Sequence, residues 1–188
     1  MRAEVSHPIH SAPLRRATTP GRRLVWRCLA GERTSRQLHT GSGESRGEIR
    51  RILVVDDEQS IRLLCRVNLG ASGMEVLEAH DGKAGLALAR SERPDLILLD
   101  VMMPGLDGWD VARELAGDAA TRDIPIVFLT ARAETADRRR GAQLGGVGYV
   151  VKPFDPVGIG EVVENVIDRI GRGERAELQR SLADDAET

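Results

Sequence analysis

Aromatic residues, cysteines and long hydrophobic runs are all scarce in this chain of 188 residues. Aromatic side chains make up 3% of the residues, so aliphatic side chains must fill any core. The two cysteines, Cys28 and Cys65, lack the paired spacing of a zinc site or a disulfide framework, which favours a reducing, cytoplasmic location. The longest apolar runs, such as Ile52–Val55 and Leu96–Leu99, are much shorter than the roughly 20 residues of a membrane-spanning helix. We therefore expect neither a membrane partner nor a disulfide-rich secreted domain.

Lysine is also rare, and the charges are unevenly distributed. Only Lys83 and Lys152 are lysines, and every other basic residue is an arginine. The net charge is −2, but residues 1–51 contain eleven Arg and four Glu, a balance of +7, which leaves −9 for the remainder. Residues 1–48 have no sustained apolar periodicity, so they predict a disordered, Arg-rich N-terminal extension. A flexible tail, a start codon placed too far upstream, a nucleic-acid contact and a transit peptide are all compatible with it.

From residue 51 onward, short aliphatic runs alternate with longer segments of helical periodicity. The alternation extends over about 120 residues and requires crossover connections, so it predicts a doubly wound α/β domain with a five-stranded parallel sheet between helix layers. The predicted strands are Arg51–Val55, Glu75–Glu78, Asp95–Leu99, Pro125–Leu129 and Tyr149–Val151. The predicted helices are Ser60–Ala71, Gly82–Ser91, Gly108–Gly117, Glu134–Leu144 and Pro156–Gly171.

Acidic side chains follow two of the predicted strands at their carboxyl ends, where ligands bind in folds of this class. Asp56, Asp57 and Glu58 follow the first strand, and Asp100 follows the third. If these strands are neighbours, the carboxylates repel one another unless a cation binds between them. Oxygen ligands favour a hard divalent cation, Mg²⁺ or alternatively Mn²⁺. The sequence therefore predicts a metal site at this edge of the sheet.

Thr130 and Lys152 follow the fourth and fifth strands and add a hydroxyl and an ammonium group to the same edge. With the acidic cluster they suit a phosphoryl group, whose oxygens need cationic and hydrogen-bonding partners. Each residue alone also has a simpler interpretation. Asp57 or Ser60 can cap the helix that follows, Thr130 can cap the next helix, and Lys152 can be a surface charge. Their joint placement at four strand ends favours a functional site.

Four segments together resemble a known family. They are residues 54–58 (VVDDE), 98–108 (LLDVMMPGLDG), 128–132 (FLTAR) and 149–154 (YVVKPF). In this order and spacing, residues 50–172 resemble the receiver domain of bacterial two-component response regulators. The resemblance implies a flavodoxin-like receiver fold with strand order 2-1-3-4-5. It also implies Mg²⁺-dependent phosphorylation of one aspartate by a sensor histidine kinase.

The resemblance assigns an expected role to each matching residue of the site. Asp100 is the expected phosphoacceptor. Asp57, Asp100 and the backbone carbonyl of Met102 are the expected ligands of Mg²⁺, with Asp56 acting through a bound water. Lys152 is expected to pair with Asp100 at rest and with the phosphoryl oxygens afterwards.

Thr130 and Tyr149 are the switch residues that the resemblance implies. Thr130 would move toward the new phosphoryl group and Tyr149 would rotate inward behind it, which would alter the surface formed by the fourth helix, the fifth strand and the fifth helix. The Lys152–Pro153 peptide bond is expected to be cis. A half-buried aromatic side chain without a switch role is the alternative interpretation of Tyr149.

Three stretches depart from the family's usual pattern or add to it. Residues 144–149 read LGGVGY, which predicts a flexible loop before the fifth strand. Gly158 and Gly160 predict a frayed start of the fifth helix. Residues 138–140 are three consecutive arginines on the fourth helix, either a partner surface or a solvated face.

Residues 173–188 are predicted to be a short acidic C-terminal tail, which leaves no room for a DNA-binding output domain. We therefore expect a stand-alone receiver whose partners are a sensor histidine kinase and either a histidine phosphotransfer protein or a downstream target. A phosphorylation-dependent homodimer and a phosphorylation-independent binding module are further alternatives. No organic cofactor is expected. An enzyme with external substrates is not expected either, because Met102 stands where phosphatases of the haloacid-dehalogenase type have a second aspartate.

Overall fold

A computed structural model of the chain describes residues 49–131 and 135–184. The predicted N-terminal extension, residues 1–48, and the last four residues of the predicted tail lie outside them. The strands are β1 (Arg51–Val55), β2 (Glu75–Ala79), β3 (Leu96–Asp100), β4 (Ile126–Thr130) and β5 (Gly146–Val151). The helices are α1 (Gln59–Ala71), α2 (Gly82–Glu92), α3 (Gly108–Gly117), α4 (Thr135–Gln143), α5 (Gly158–Gly171) and α6 (Arg175–Asp184). None of these helices is long and apolar enough to cross a membrane.

The five strands form one parallel sheet in the order β2-β1-β3-β4-β5, which confirms the predicted fold and strand order. All five residues of β3 and of β4 are buried, as expected for central strands covered on both faces. One hydrophobic cluster packs α1 and α5 on one face of the sheet, and a second packs α2 and α3 on the other. Alternate strand residues therefore enter different clusters: Ile52 and Val54 belong to the first, and Leu53 and Val55 to the second.

The strand register brings the predicted site residues to one edge. Val55 pairs with Leu99, so the residues that follow them, Asp56 and Asp100, are neighbours. Asp100 in turn pairs with Leu129, the residue before Thr130. The register of β4 with β5 then places Lys152 one position beyond the partner of Thr130. The order of the strands thus collects residues from four of them.

Two aspartates that precede glycines cap helices. The Asp81 carboxylate accepts a hydrogen bond of 2.8 Å from the Ala84 amide at the start of α2, and Asp107 does the same for Asp110 at the start of α3. The start of α1 differs, because Glu58 occupies the capping position and no side chain caps it. The capping interpretation of Asp57 therefore does not describe the structure.

The fifth strand begins earlier than predicted. Residues 146–148 were expected in a flexible loop, but β5 starts at Gly146, after Gly145 with a φ of +89°. A β-carbon at Gly146 would lie 2.6 Å from the Phe128 ring and 2.7 Å from the carbonyl oxygen of Gly141, so the glycine permits a close approach of strand and helix. The helix α5 starts at Gly158, two residues later than predicted.

The segment from residue 173 onward is not simply a tail, because residues 175–184 form α6. This helix packs against α4 and β5. Its two leucines, Leu178 and Leu182, are only 3% and 7% exposed. Burial of each leucine contributes about 1.5–3 kcal/mol to stability. The sequence pattern missed the helix because it offers only these two large apolar side chains among polar neighbours.

Gly108 and Gly117, at the two ends of α3, provide a matched test of the packing next to Asp100. A β-carbon at Gly108 would lie 2.1 Å from the carbonyl oxygen of Asp100 and 2.8 Å from the α-carbon of Val101. A β-carbon at Gly117 would meet nothing within 4 Å. We expect Gly108→Ala to lower the free energy of unfolding by about 2 kcal/mol or more, because backbone must move to relieve the overlap. We expect Gly117→Ala to be neutral or to stabilise by up to about 1 kcal/mol.

Urea denaturation followed by circular dichroism measures both free energies. Wild-type stability of Gly108→Ala would contradict the close approach of α3 to the end of β3.

Candidate functional site

An acidic cluster lies at the carboxyl edge of the sheet. Carboxylate oxygens of Asp56, Asp57 and Asp100 all lie within 4.8 Å of one another. Asp56 is fully buried and Asp100 is 3% exposed, whereas Asp57 is exposed to solvent. The structure therefore brings together the three carboxylates that the sequence predicted, with one open side.

Lys152 is the cation that approaches this cluster. Its Nζ lies 2.7 Å from Oδ2 of Asp56 and 3.2 Å from Oδ2 of Asp100. The backbone amide of Lys152 donates a hydrogen bond of 2.7 Å to the carbonyl oxygen of Thr130, which extends the pairing of β4 and β5 to this position. The Lys152–Pro153 peptide bond is cis, as expected. The side chain is 13% exposed, so its charge is largely shielded from solvent.

Burial and charge act in opposite directions on the ionisable groups of the cluster. Desolvation by burial raises the pKa of Asp56, and the hydrogen bond and charge of Lys152 offset this only in part. Burial disfavours the Lys152 ammonium, but its interactions with Asp56 and Asp100 outweigh burial and raise the pKa of this lysine. Lys152 therefore stays protonated at neutral pH.

One ammonium group does not neutralise three carboxylates, so the ionised cluster with Lys152 has a formal charge of −2. Oδ1 of Asp56 accepts a hydrogen bond of 2.9 Å from the Glu58 amide, and Oδ1 of Asp100 accepts one of 3.2 Å from the Met102 amide. The buried Oδ2 of Asp56 lies 2.7 Å from Nζ of Lys152, and no other donor of the described residues reaches it. Oxygen donors with unused lone pairs and excess negative charge fit a bound metal ion.

The loop after β3 places Met102 beside Asp100. The Met102 side chain is 72% exposed, and its backbone amide is the group that touches the Asp100 carboxylate. The role of its carbonyl as a metal ligand stays a prediction. Met103, in contrast, is 6% exposed and packs into the cluster with α2 and α3.

Behind the acidic cluster lie the two residues predicted to act as a switch. Thr130 ends β4 and is 4% exposed. The Tyr149 hydroxyl donates a hydrogen bond of 2.6 Å to the carbonyl oxygen of Asp137 in α4. Its ring stacks on Phe128 with the centroids 5.2 Å apart, and burial raises the pKa of Tyr149. Tyr149 therefore connects β5 to α4.

Arg62 is a residue of this region that the sequence reasoning missed. Its guanidinium donates hydrogen bonds to the carbonyl oxygens of Asp56 at 2.7 Å and Asp57 at 3.0 Å. Its Nε lies 3.7 Å from a carboxylate oxygen of Glu78 in β2. Arg62 thus holds the backbone of the acidic loop from within α1. The available signal was an arginine one turn into the helix that follows an acidic loop, a pattern that many solvated helices share.

Comparison with known proteins finds relatives among transcriptional regulators. The chain is 50% identical over 107 residues to the probable transcriptional regulator ycf27 of Cyanophora paradoxa, a match that covers 57% of this chain and 44% of that protein. It is 43% identical over 120 residues to the alkaline phosphatase synthesis transcriptional regulatory protein PhoP of Bacillus subtilis, covering 64% and 49%. It is 42% identical over 123 residues to the phosphate regulon transcriptional regulatory protein PhoB of Pseudomonas aeruginosa, covering 65% and 54%.

These relatives correct one expectation. The chain spans about half the length of the curated relatives it matches. The prediction of a stand-alone receiver without a DNA-binding output domain is therefore wrong. The matched segment recurs as one part of longer proteins that are named as transcriptional regulators. Residues 173–188 do not decide the question, since their length says nothing about the architecture of the relatives.

Solved structures agree with the fold. The chemotaxis protein CheY4 of Vibrio cholerae matches with a TM-score of 0.61 and 32% identity, over 63% of this chain and 99% of that one. The Francisella response regulator 1452 receiver domain matches with a TM-score of 0.59 and 28% identity, over 64% and 98%. The sequence profile of the response regulator receiver domain matches residues 52–164, more than half of the chain. With the acidic cluster, Thr130 and Lys152 at the sheet edge, these matches show that the chain belongs to the response regulator receiver domain family.

Proposed function

We propose that this chain is the phosphoacceptor module of its response regulator, and that Asp100 receives a phosphoryl group from a sensor histidine kinase. The observation that carries the proposal is the environment of the Asp100 carboxylate. It is buried among two other carboxylates, yet Nζ of Lys152 lies 3.2 Å from its Oδ2. A carboxylate beside a fixed ammonium is suited to act as a nucleophile toward phosphorus.

The transfer makes one bond and breaks one. A carboxylate oxygen of Asp100 bonds to phosphorus, and the bond from phosphorus to the donor breaks. The donor is a histidine nitrogen of the kinase or the acyl oxygen of a small acyl phosphate. The leaving atom keeps the electron pair, and a histidine nitrogen then takes a proton from solvent. No second carboxylate follows two residues later to act as an acid or base toward an external substrate, because that position is Met102. The product therefore stays on the protein as a phosphoaspartate.

Lys152 supports this step by its position. In the resting protein it pairs with both Asp56 and Asp100, and a phosphoryl group on Asp100 would bring oxygens within its reach. Asp56 and Asp57, with Asp100, would hold Mg²⁺, which supplies positive charge for the phosphoryl oxygens when it is bound. Asp57 is exposed, so it is the carboxylate through which the cluster opens to solvent.

The response to phosphorylation would pass from Thr130 to Tyr149. Thr130 is the last residue of β4, next to the phosphorylated position, and its hydroxyl is a donor for a phosphoryl oxygen. In the resting protein the Tyr149 hydroxyl donates a hydrogen bond to the carbonyl oxygen of Asp137 in α4. Movement of Thr130 toward the site and of Tyr149 away from Asp137 would change the position of α4. By analogy with the named regulators, we infer that the output is control of transcription.

Intact-mass spectrometry after incubation with acetyl phosphate and Mg²⁺ tests the phosphoacceptor role. We expect wild-type protein to gain one phosphoryl group, and Asp100→Asn to gain none because its side chain lacks the nucleophilic oxygen. A chelator is expected to abolish the gain. The matched control is Asp107→Asn, which changes an aspartate of the next loop that caps α3 and leaves the cluster intact.

Uptake of a phosphoryl group by Asp100→Asn would place the acceptor elsewhere. If folded wild-type protein gains no phosphoryl group from acetyl phosphate or from candidate kinases, the proposal fails.

Thermal unfolding tests the metal site. We expect Mg²⁺ at ten times its dissociation constant to stabilise the wild-type protein by about 1.4 kcal/mol, which raises the melting temperature by several degrees. Asp57→Asn is expected to lose this increase but to fold normally, because the side chain is exposed. Glu75→Gln, which alters an exposed carboxylate at the amino end of β2, away from the cluster, is expected to keep it. An equal Mg²⁺ effect in all three proteins would rule out a specific site.

The pH dependence of Mg²⁺ binding tests the electrostatics. Burial raises the pKa of Asp56, so a proton competes with the metal at a higher pH than at an ordinary aspartate. The metal needs the ionised form, and its affinity should therefore fall as the pH is lowered through this raised pKa. Calorimetric titration at a series of falling pH values measures the trend. Asp56→Asn is expected to bind more weakly but with a flatter profile, and an unchanged profile would contradict the assignment.

A further inference from the structure

The helix α4 has little apolar surface of its own. Its largest apolar side chain is alanine, so it lacks the apolar stripe that normally fixes a helix to a core. Specific contacts hold it instead. Tyr149 bonds to the Asp137 carbonyl, and the Arg140 guanidinium lies 4.8 Å from the centre of the Trp109 ring. Gly141 sits so close that a β-carbon there would lie 2.6 Å from the Tyr149 hydroxyl. Changes at Tyr149 are therefore felt directly by α4.

The other neighbour of α4 is α6, which also covers an edge of the sheet. β5 is the last strand in the sheet order, so its outer side pairs with no strand within residues 49–131 and 135–184. The helix α6 packs on β5 and on α4 together. Leu178 belongs to the hydrophobic cluster that contains Val147 and Val150 of β5, whereas Leu182 is buried but belongs to neither cluster. Covering an edge with a helix is a usual protection against pairing with other chains.

The first turn of α6 is attached firmly, and the remainder rests on the two leucines. The Arg169 guanidinium in α5 lies 2.7 Å from Glu174 and 3.5 Å from Glu177. Arg175 donates a hydrogen bond to the Asp123 carbonyl in the segment before β4. The turn that joins α5 to α6 contains Gly173, whose φ is +81°. The N-terminal end of α6 is therefore the end that would stay attached if the helix left the sheet.

The junction between α4 and α6 is open to solvent. A groove of about 640 Å³ lies between them and is lined by Arg139, Gln143, Gln179, Arg180 and Asp184 together with three alanines. Solvent already reaches this groove, so the buried apolar side chains that oppose separation of α6 are Leu178 and Leu182. The matched family segment ends at residue 164, so α6 lies beyond it.

We propose that α6 is a detachable cover of the edge formed by α4 and β5, and that phosphorylation of Asp100 releases it. The second part rests on the proposed function. Loss of the bond between Tyr149 and the Asp137 carbonyl would free α4, which has no apolar stripe to hold its position. A shift of α4 removes one of the two surfaces on which α6 lies. The two states of this switch are the edge of α4 and β5 covered by α6 and the same edge with α6 released.

Hydrogen exchange on the full-length, unphosphorylated protein tests the link between α6 and α4. In Leu182→Ala, which removes the apolar contact furthest from the attached end, we expect amides of α6 and of α4 to exchange at least about tenfold faster. The matched control, Ser181→Ala, changes a partly exposed residue of the same helix that does not line the groove, and it is expected to match the wild type. Amides of α2, which packs on β1 and β2 away from β5, should stay unchanged. Faster exchange there would indicate global destabilisation. Faster exchange in α6 with α4 unaffected would overturn the coupling.

Exchange before and after treatment with acetyl phosphate tests the release. Intact mass, measured on the same sample, counts the phosphoryl groups. With one group added, we expect α6 to exchange at least about fivefold faster and α2 to stay the same. A phosphorylated protein with unchanged α6 would refute the detachable cover and leave the phosphoacceptor role standing. A protein that takes up no phosphoryl group would refute the phosphoacceptor role and, with it, the release.

Discussion

Three carboxylates share the carboxyl edge of the sheet with one ammonium group, and the rest of the site depends on that imbalance. Asp56 and Asp100 are buried at neighbouring strand ends, where solvent cannot screen their repulsion. Lys152 offsets part of it from β5, and its own charge is retained because the two carboxylates stabilise it. The remaining negative charge makes the edge a place for a cation. A phosphoryl group carries charge of its own, so its arrival would change the balance of charge in this cluster.

The scaffold around this cluster is rigid on one side and loosely held on the other. The central strands β3 and β4 are buried throughout, Gly108 lets α3 reach the backbone of Asp100, and Arg62 fixes the acidic loop. On the other side lies α4, which a few specific contacts hold, among them one hydrogen bond from Tyr149. A charge change at a rigid site is transmitted most easily to the element with the least apolar burial. This contrast gives a physical reason for α4 to respond to the site.

The helix α6 covers part of the side of the molecule that α4 and β5 form. The surface of the fourth helix, fifth strand and fifth helix was expected to be open to partners, but α6 lies on α4 and β5. Its ion pairs with α5 and its two buried leucines make it part of the folded domain. The relatives named as transcriptional regulators contain about twice the matched length, so the receiver is the portion that they share with this chain.

The sequence by itself determined the strand and helix alternation, the parallel sheet and the identities of Asp56, Asp57, Asp100, Thr130 and Lys152, because these depend on local hydrophobic patterns and on short motifs at strand ends. Only the tertiary structure decided what distant segments do to one another. The early start of β5 at Gly146 depends on the close approach of Phe128 and Gly141, which no local pattern encodes. The role of Arg62 depends on where the acidic loop turns back over α1. The helix α6 offers only two large apolar residues to sequence reasoning, and it is stable because its two leucines are buried where it packs on α4 and β5.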